Sequence, residues 1–276
     1  MSVVGKYAEF AVSCRTKGHS EDVLHHAKRA LIDWFACTLP GGLEEPAVLM
    51  TKALDEDIGR GKSTLLPQGE RATTRTAALI NGTASHIIEF DDIYRDGLFH
   101  PGAPIISAAL AVAEMTNSSG VDLLRAVIAG YEVANSIAEA VNPHHYEWWH
   151  TTATVGFLGA STSSAVLLGL SSEQTSHALA TAGTMAAGLQ QAFRADAMSK
   201  PIHSGRAAEG GVLSALLAKN GVTGALDILE GERGFGNAMS VNVDWKKALD
   251  ELEENDSITK ICLLYTSDAA DEGLGV

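Results

Sequence analysis

The residues best suited to chemistry lie in Glu89–Glu114, EFDDIYRDGLFHPGAPIISAALAVAE. Four carboxylates (Glu89, Asp91, Asp92, Asp96), a tyrosine, an arginine and the His100-Pro101 step precede an Ala-rich stretch of helical character. Carboxylates crowded before a helix are costly to bury unless they meet cations or hold a proton. Such crowding is what acid–base sites are built from. His100, where the acidic loop ends and the helix starts, is placed for proton transfer. On these residues alone, a solvated loop whose acids cap the helix dipole is the favoured account of the segment.

Two further clusters carry chemistry. Asn142–Thr152, NPHHYEWWHTT, brings three histidines and two tryptophans before a Thr/Gly/Ala-rich helix. His144 and His145 are adjacent and point different ways, a poor metal pair, whereas His150 opens the next helix and could reach a pocket. The alternative is an aromatic loop packed on the domain. In Arg194–Gly211, RADAMSKPIHSGRAAEGG, the cations Lys200, His203 and Arg206 recur every three residues near a helix start. Cations together with helix-start N–H groups form a cradle for carboxylate or phosphate, and Gly205 and Gly210-Gly211 would let backbone approach a ligand. A basic surface loop is the alternative. Neither GxxxxGKS nor GxGxxG occurs here, so a nucleotide fold is not supported.

The elements that must position these residues read as helices. Ser20-Glu21-Asp22 starts one whose apolar stripe runs Val23, Leu24, Ala27, Leu31, Trp34 and Phe35, with Leu39-Pro40-Gly41-Gly42 as its stop. Pro46 opens a second helix, AVLMTKALDEDIG. Ser63–Leu66 is a short extended piece, and Glu70–Ile88 is helical with a weak point at Asn81-Gly82. Further helices are expected over Ala103–Met115, Asp122–Val141, Thr151–Leu168, Ser172–Leu189 and Ala207–Lys219, with a short helical turn at Ala225–Glu230. No strand alternation of useful length and no repeat appears, so the expectation is one all-α domain over residues 1–261.

The 276 residues suffice for a sizeable core, and a net charge of −14 argues against nucleic acid as a partner. No stretch has the apolar length of a membrane span, and MSVVGKYAEF lacks the pattern of a signal peptide. Cys14, Cys37 and Cys262 have no CxxC spacing, which disfavours a disulfide framework, a zinc ribbon or an Fe–S cluster. A cytoplasmic protein without a metal site is the expectation. Residues 262–276 are set apart: CLLYTSDAADE matches the translation of a sequencing-library transposase adapter, so this tail is expected to be non-native, with the biological chain cut near Cys262.

EFDD followed by HPGAP and a small-residue helix, then KPIHSGRAAEGGVLSALLAKNGVTGALDILEGERGFG, closely resembles the MmgE/PrpD family over about Tyr7 to Ile261. The family includes 2-methylcitrate dehydratase, cis-aconitate decarboxylase and iminodisuccinate epimerase. The resemblance implies a large all-helical domain, with the family's smaller α/β lid domain missing from this chain, and a homodimer that needs no metal or organic cofactor. It implies a lyase or epimerase, 2-methylcitrate dehydratase-like, acting next to a carboxylate of a small di- or tricarboxylic acid. Residue by residue, the acidic cluster falls on Glu89, Asp91 and Asp92, the His-Pro histidine on His100, and the helix-opening histidine on His150. The lysine of the KPxHxG segment falls on Lys200, with His203 and Arg206 beside it. The implied roles are proton transfer for His100, His150 and Lys200, and substrate binding for Glu89, Asp91, Asp92, His203 and Arg206. Ile93 stands where decarboxylase-like members carry threonine, Glu89 where some carry aspartate, and the Tyr94–Phe99 loop differs, which puts the tricarboxylate specificities in question. A further site lysine belongs to the lid, so this chain by itself is expected to be inactive. The rival expectation is a catalytically silent helical dimer of the same fold.

Overall fold

The computed structural model describes residues 2–195, 197–254 and 256–263. The tail beyond residue 263, which holds all but the first two residues of the adapter match, lies outside them. Helix α7 (Thr151–Leu167) is the centre, because every residue from Thr151 to Val166 is buried. Its sequence, TTATVGFLGASTSSAVL, is mostly Gly, Ala, Ser and Thr, so neighbouring helices can approach on all sides. Hydroxyls that would otherwise be stranded turn back onto the helix, as Thr162 does to the Leu158 carbonyl at 2.9 Å. Around it pack α5 (Gly102–Thr116), α6 (Gly120–Val141), α8 (Ser172–Met185) and α10 (Ser199–Lys219).

Outside this set, α4 (Thr74–Ala84) packs on α5 and α10, and α1 (Val3–Ser13) packs on α8 and α6. Helix α2 (Glu21–Gly41) buries Val23, Ala27, Ala30 and Trp34, and the Trp34 indole donates to Ser107 Oγ on α5 at 2.9 Å. The short helices α3 (Ala47–Ala53), α9 (Gln191–Arg194) and α11 (Phe235–Met239) and the amphipathic α12 (Trp245–Glu254) complete the chain. An antiparallel hairpin, β1 (Ile58–Thr64) with β2 (Arg71–Ala72), lies against α5. No helix among the described residues is long and apolar enough to cross a membrane.

The mostly helical architecture matches the sequence expectation, with local differences. Helix α1 was not anticipated; Ser2 caps it by accepting from Gly5 N. Helix α2 runs one residue past Pro40, because a proline in a last turn removes only one bond from a ladder that is already ending. The expected start of α4 at Glu70 fails because Arg71-Ala72 pair with β1, and the helix ends at Ala84, short of Ile88. Helix α8 stops at Met185, since Gly188 and Leu189 are engaged by His150 and Trp149. Ala225–Glu230 forms turns instead of a helix. The most consequential difference is α10, which starts at Ser199 and not at Ala207, so Lys200, His203 and Arg206 ride on a rigid helix and not in a loop.

Helices α4 and α10 meet backbone to backbone at Gly82 and Gly205. A Cβ on Gly205 would lie 2.1 Å from the Leu79 carbonyl oxygen and 2.2 Å from Thr83 Oγ1, and Ser204 Oγ donates to the Gly82 carbonyl at 2.6 Å. This contact sets the first turns of α10 over the chain that leaves α4. Gly205→Ala is therefore expected to cost about 1–3 kcal/mol of overpacking, read as a thermal midpoint several degrees lower. Gly18→Ala, whose new methyl meets nothing within 4 Å, should leave the midpoint unmoved; equal midpoints for both variants would contradict the packing argument.

Candidate active site

Ends of four helices converge on one cluster. After α4, Ser85 closes the helix and a turn buries His86 completely. Its Nδ1 lies 2.8 Å from Asp91 Oδ2, and His100 Nδ1, just ahead of α5, lies 3.4 Å from the same oxygen. The His86 and His100 rings are 5.0 Å apart edge to face, and His86 stacks at 5.6 Å on His150, the N-cap residue of α7. The His150 backbone N–H donates to the Gly188 carbonyl, which fixes the ring's origin, and its Nδ1 is 3.0 Å from Nδ1 of His203 on α10. Phe193 of α9 packs edge to face on His150 at 4.5 Å and lies under Lys200 Nζ at 4.4 Å. Lys200 Nζ in turn pairs with Glu89 Oε1 at 2.5 Å.

The histidines are driven to opposite charge states. Burial works to raise the Asp91 pKa, but the imidazoles of His86 and His100 outweigh it and hold the carboxyl well below the usual range. Burial works to lower His100, and the Asp91 carboxylate overrides it, pushing the imidazole up to about 9. His150 has no such partner: burial first, then His86 and His203, hold it well below its ordinary value. His203 is likewise lowered by burial, with His86 and Lys200 adding to it. The result is one protonated and two neutral imidazoles within a few ångströms at neutral pH.

Asp92 points the other way, into the protein. Gly102 N donates to its Oδ1 at 2.9 Å and Tyr131 to its Oδ2 at 2.8 Å, so it caps α5. A Cβ on Gly102 would fall 2.7 Å from Asp92 Oδ1 and 2.9 Å from Tyr131 Oη, which leaves glycine as the residue that fits. The Asp92 backbone N–H donates to Asp33 Oδ2 at 3.0 Å. Burial raises both acids, each worsened by the other's or a neighbour's charge, Asp92 to about 7 and Asp33 to about 8.

Of the expected residues, the structure therefore brings together Glu89, Asp91, His100, His150, Lys200 and His203. Asp92 is adjacent in sequence but buried behind them. Arg206 is not in the cluster: its guanidinium pairs with buried Glu209, shared with Arg75, beside Asp57 and Thr76. Three residues along a helix from His203 also means a rotation of about 60°, and a second such step from Lys200 carries the side chain to another face. His145 is a structural tie, with Nδ1 3.1 Å from the Met239 carbonyl and Nε2 2.7 Å from Thr154 Oγ1.

Sequence reasoning missed His86, Phe193 and the Asp33–Tyr131 support. The signal for His86 was its place five residues before Asp91, hidden by the assumption that α4 continued to Ile88. Among the described residues, the donor atoms of His86, Asp91 and His100 fall within 4.8 Å of one another, a spacing that a cation could bridge. His86 is hydrogen-bonded to the Asp91 carboxylate oxygen at 2.8 Å, while His100 Nδ1 at 3.4 Å is an ion-pair contact without a hydrogen bond.

Comparison with known proteins gives the same direction. The family profile for the MmgE/PrpD N-terminal domain matches residues 5–248. Human cis-aconitate decarboxylase is 32% identical over 228 residues, which is 79% of this chain and 47% of that protein. The cis-aconitate decarboxylase-like protein oryM of Aspergillus oryzae is 29% identical over 229 residues, 80% of this chain and 47% of its own length. The cis-aconitate decarboxylase of Aspergillus terreus is 27% identical over 246 residues, 87% of this chain and 50% of its own. The chain thus spans about half the length of the curated relatives it matches, and with the family profile covering most of its residues it belongs to the MmgE/PrpD family.

Proposed function

We propose that this chain, carried on to the length of its relatives, is a cofactor-independent lyase that moves a proton at a carbon next to a carboxylate of a small polycarboxylic acid. The observation that carries the reading is that His100 lies beside the Asp91 carboxylate while buried His150 in the same cluster has other imidazoles as its titratable ring neighbours, which pushes their pKa values in opposite directions. An acid and a base whose pKa values are pushed apart by their surroundings are what such chemistry requires. Relatives named as cis-aconitate decarboxylases favour a carboxylic acid as substrate.

Neutral His150 is the base. Its Nδ1 and that of His203 share one proton, so whichever ring donates, one imidazole offers an Nε2 lone pair and the other an N–H. Protonated His100 is the acid, and the ionised Asp91 carboxylate beside it keeps the imidazolium form favourable. Lys200 supplies the cation for a substrate carboxylate. The N-termini of α5, α7 and α10 all open beside the cluster and add partial positive charge where an enediolate-like anion would develop. In a decarboxylation, CO2 leaves and His100 protonates the carbanion. In a dehydration, His150 takes the proton and His100 protonates the departing hydroxide. Two copies of the chain are proposed to form the working unit, as the family resemblance implies.

Three outcomes test this reading. First, the full-length protein mixed with cis-aconitate, 2-methylcitrate and iminodisuccinate should consume at least one of them when followed by NMR; inertness towards all three would overturn it. Second, His100→Gln and His150→Gln should each lower kcat by roughly 100-fold or more, and His86→Ala, which strips Asp91 of its closest partner, should shift the alkaline limb of the kcat/KM profile, where His100 loses its proton; a variant of His100 or His150 with intact turnover would remove that residue from the mechanism. Third, the charge states predict how stability depends on pH. His100 is raised in the folded protein, so its contribution is complete below an unfolded value near 6.5 and is lost as pH climbs through about 9. Asp92 and Asp33 are raised as well, so their contribution is complete below the unfolded carboxyl value and is lost as pH climbs from there up to about 7 for Asp92 and about 8 for Asp33. The thermal midpoint should therefore fall steadily between about pH 6.5 and 9, and His100→Gln should flatten the upper part of that fall; a midpoint rising across this range would contradict the assigned charges.

A further inference from the structure

The contact at the rim of the cluster, Lys200 with Glu89, is built unlike the others. Asp91, His86 and His150 are buried and held from several sides, whereas the Glu89 side chain is 48% exposed and its partner Lys200 only 19%. Glu89 has φ of +54°, a left-handed conformation uncommon for a residue with a Cβ, and from that turn its carboxylate reaches Nζ. Nζ in turn stands over Phe193, the ring that packs on His150, so the pair closes the exposed side of the proposed base.

We propose that Glu89 is an internal substitute for the substrate's carboxylate: it occupies Lys200 while the site is empty and is displaced, one carboxylate for another, when substrate binds. This rests on the reading of Lys200 as a carboxylate-binding residue. The exchange keeps Nζ paired throughout, so the half-buried ammonium is never left alone above an aromatic ring. The displaced Glu89 returns to water that already covers half of it, so the competition is mild. Asp91 cannot play this part, being buried between two imidazoles. The competition also has a defined signature. A resident carboxylate weakens every anion that binds Lys200 by the same factor, whatever else that anion touches. It thereby sets a threshold that ligands with more than one carboxylate cross most readily.

The test compares the 276-residue protein with Glu89→Gln, which keeps the side-chain volume and loses the charge, and with Asp96→Asn, which removes the same charge from an exposed position in the same loop. Tricarballylate and succinate are titrated into each, with histidine-labelled NMR spectra reporting the site and circular dichroism confirming the fold. Glu89→Gln should bind both probes about two- to fivefold more tightly, by one common factor, as befits release of an exposed ion pair, and Asp96→Asn should match wild type. Unchanged affinity in Glu89→Gln, an equal gain in Asp96→Asn, or different factors for the two probes would each overturn the displacement proposal while leaving Lys200 as a carboxylate site. Failure of all three proteins to bind either probe would overturn the carboxylate reading of Lys200 and the displacement with it.

Discussion

Asp91 is a carboxylate with almost no access to water, and the site is organised around keeping it charged. A buried anion of this kind persists only where cations or strong donors compensate it. Here two imidazoles aim at one oxygen, and the reciprocal effect is that His100 is held protonated far above its ordinary range. Removing one partner of such a buried set leaves a lone charge behind, which costs far more than the net worth of the pair. The consequence reaches outwards: His86 must be pulled out of helical register after Ala84 to meet Asp91, and the turn that follows brings Glu89 to the rim.

The helical scaffold serves this arrangement through close approach. Ser, Thr, Ala and Gly along α7 let four neighbouring helices crowd its whole circumference, and Gly82 against Gly205 locks α10 to α4. Rigid-body placement of α10 is what sets Lys200 and His203 relative to His100 and His150, which arrive from other helices. Catalytic geometry tolerates little error, and residues at the ends of packed helices are held more firmly than residues on loops. Glu132 extends the same logic to the end of the described chain: its buried carboxylate accepts Ser257 N, Ser257 Oγ and Ile258 N, fixing the segment whose Cys262 backbone pairs with Ile93 beside the acidic turn.

Much of this was legible from the sequence, and what was not has physical causes. Helix existence followed from apolar spacing, so α2, α5, α6, α7 and α8 were anticipated to within a few residues. Boundaries failed where tertiary partners decided them. Residues Arg71-Ala72 look helical in isolation and are taken by a strand partner, and Lys200–Arg206 look like a loop because Pro201 and glycines are poor helix formers; burial against α4 and α7 overrides that preference. The residue types of the site were visible, since His100, His150, Lys200, His203 and the acids stand out by composition. Their roles were not. Whether an acid faces the cluster, as Asp91 does, or caps a helix behind it, as Asp92 does, depends on which way two adjacent side chains point. His86 was hidden because a lone histidine in an apolar helical pattern ordinarily reads as core.

The same distinction separates what this fold makes rigid from what it leaves adjustable. His86, Asp91, His100 and His150 are in mutual contact, so changing one of them disturbs the balance that holds Asp91 low, His100 high and His150 low. Glu89 and Lys200 stand at the boundary with water and touch the cluster through the Phe193 ring, while the Lys200 charge also bears on His150 and His203. On the proposed reading, substitutions at the rim would alter which acid is accepted while His100 and His150 stay in place. Ile93 and the Tyr94–Phe99 loop follow directly on the buried Asp91-Asp92 pair. The enclosed charges are the part of the cluster that cannot vary independently.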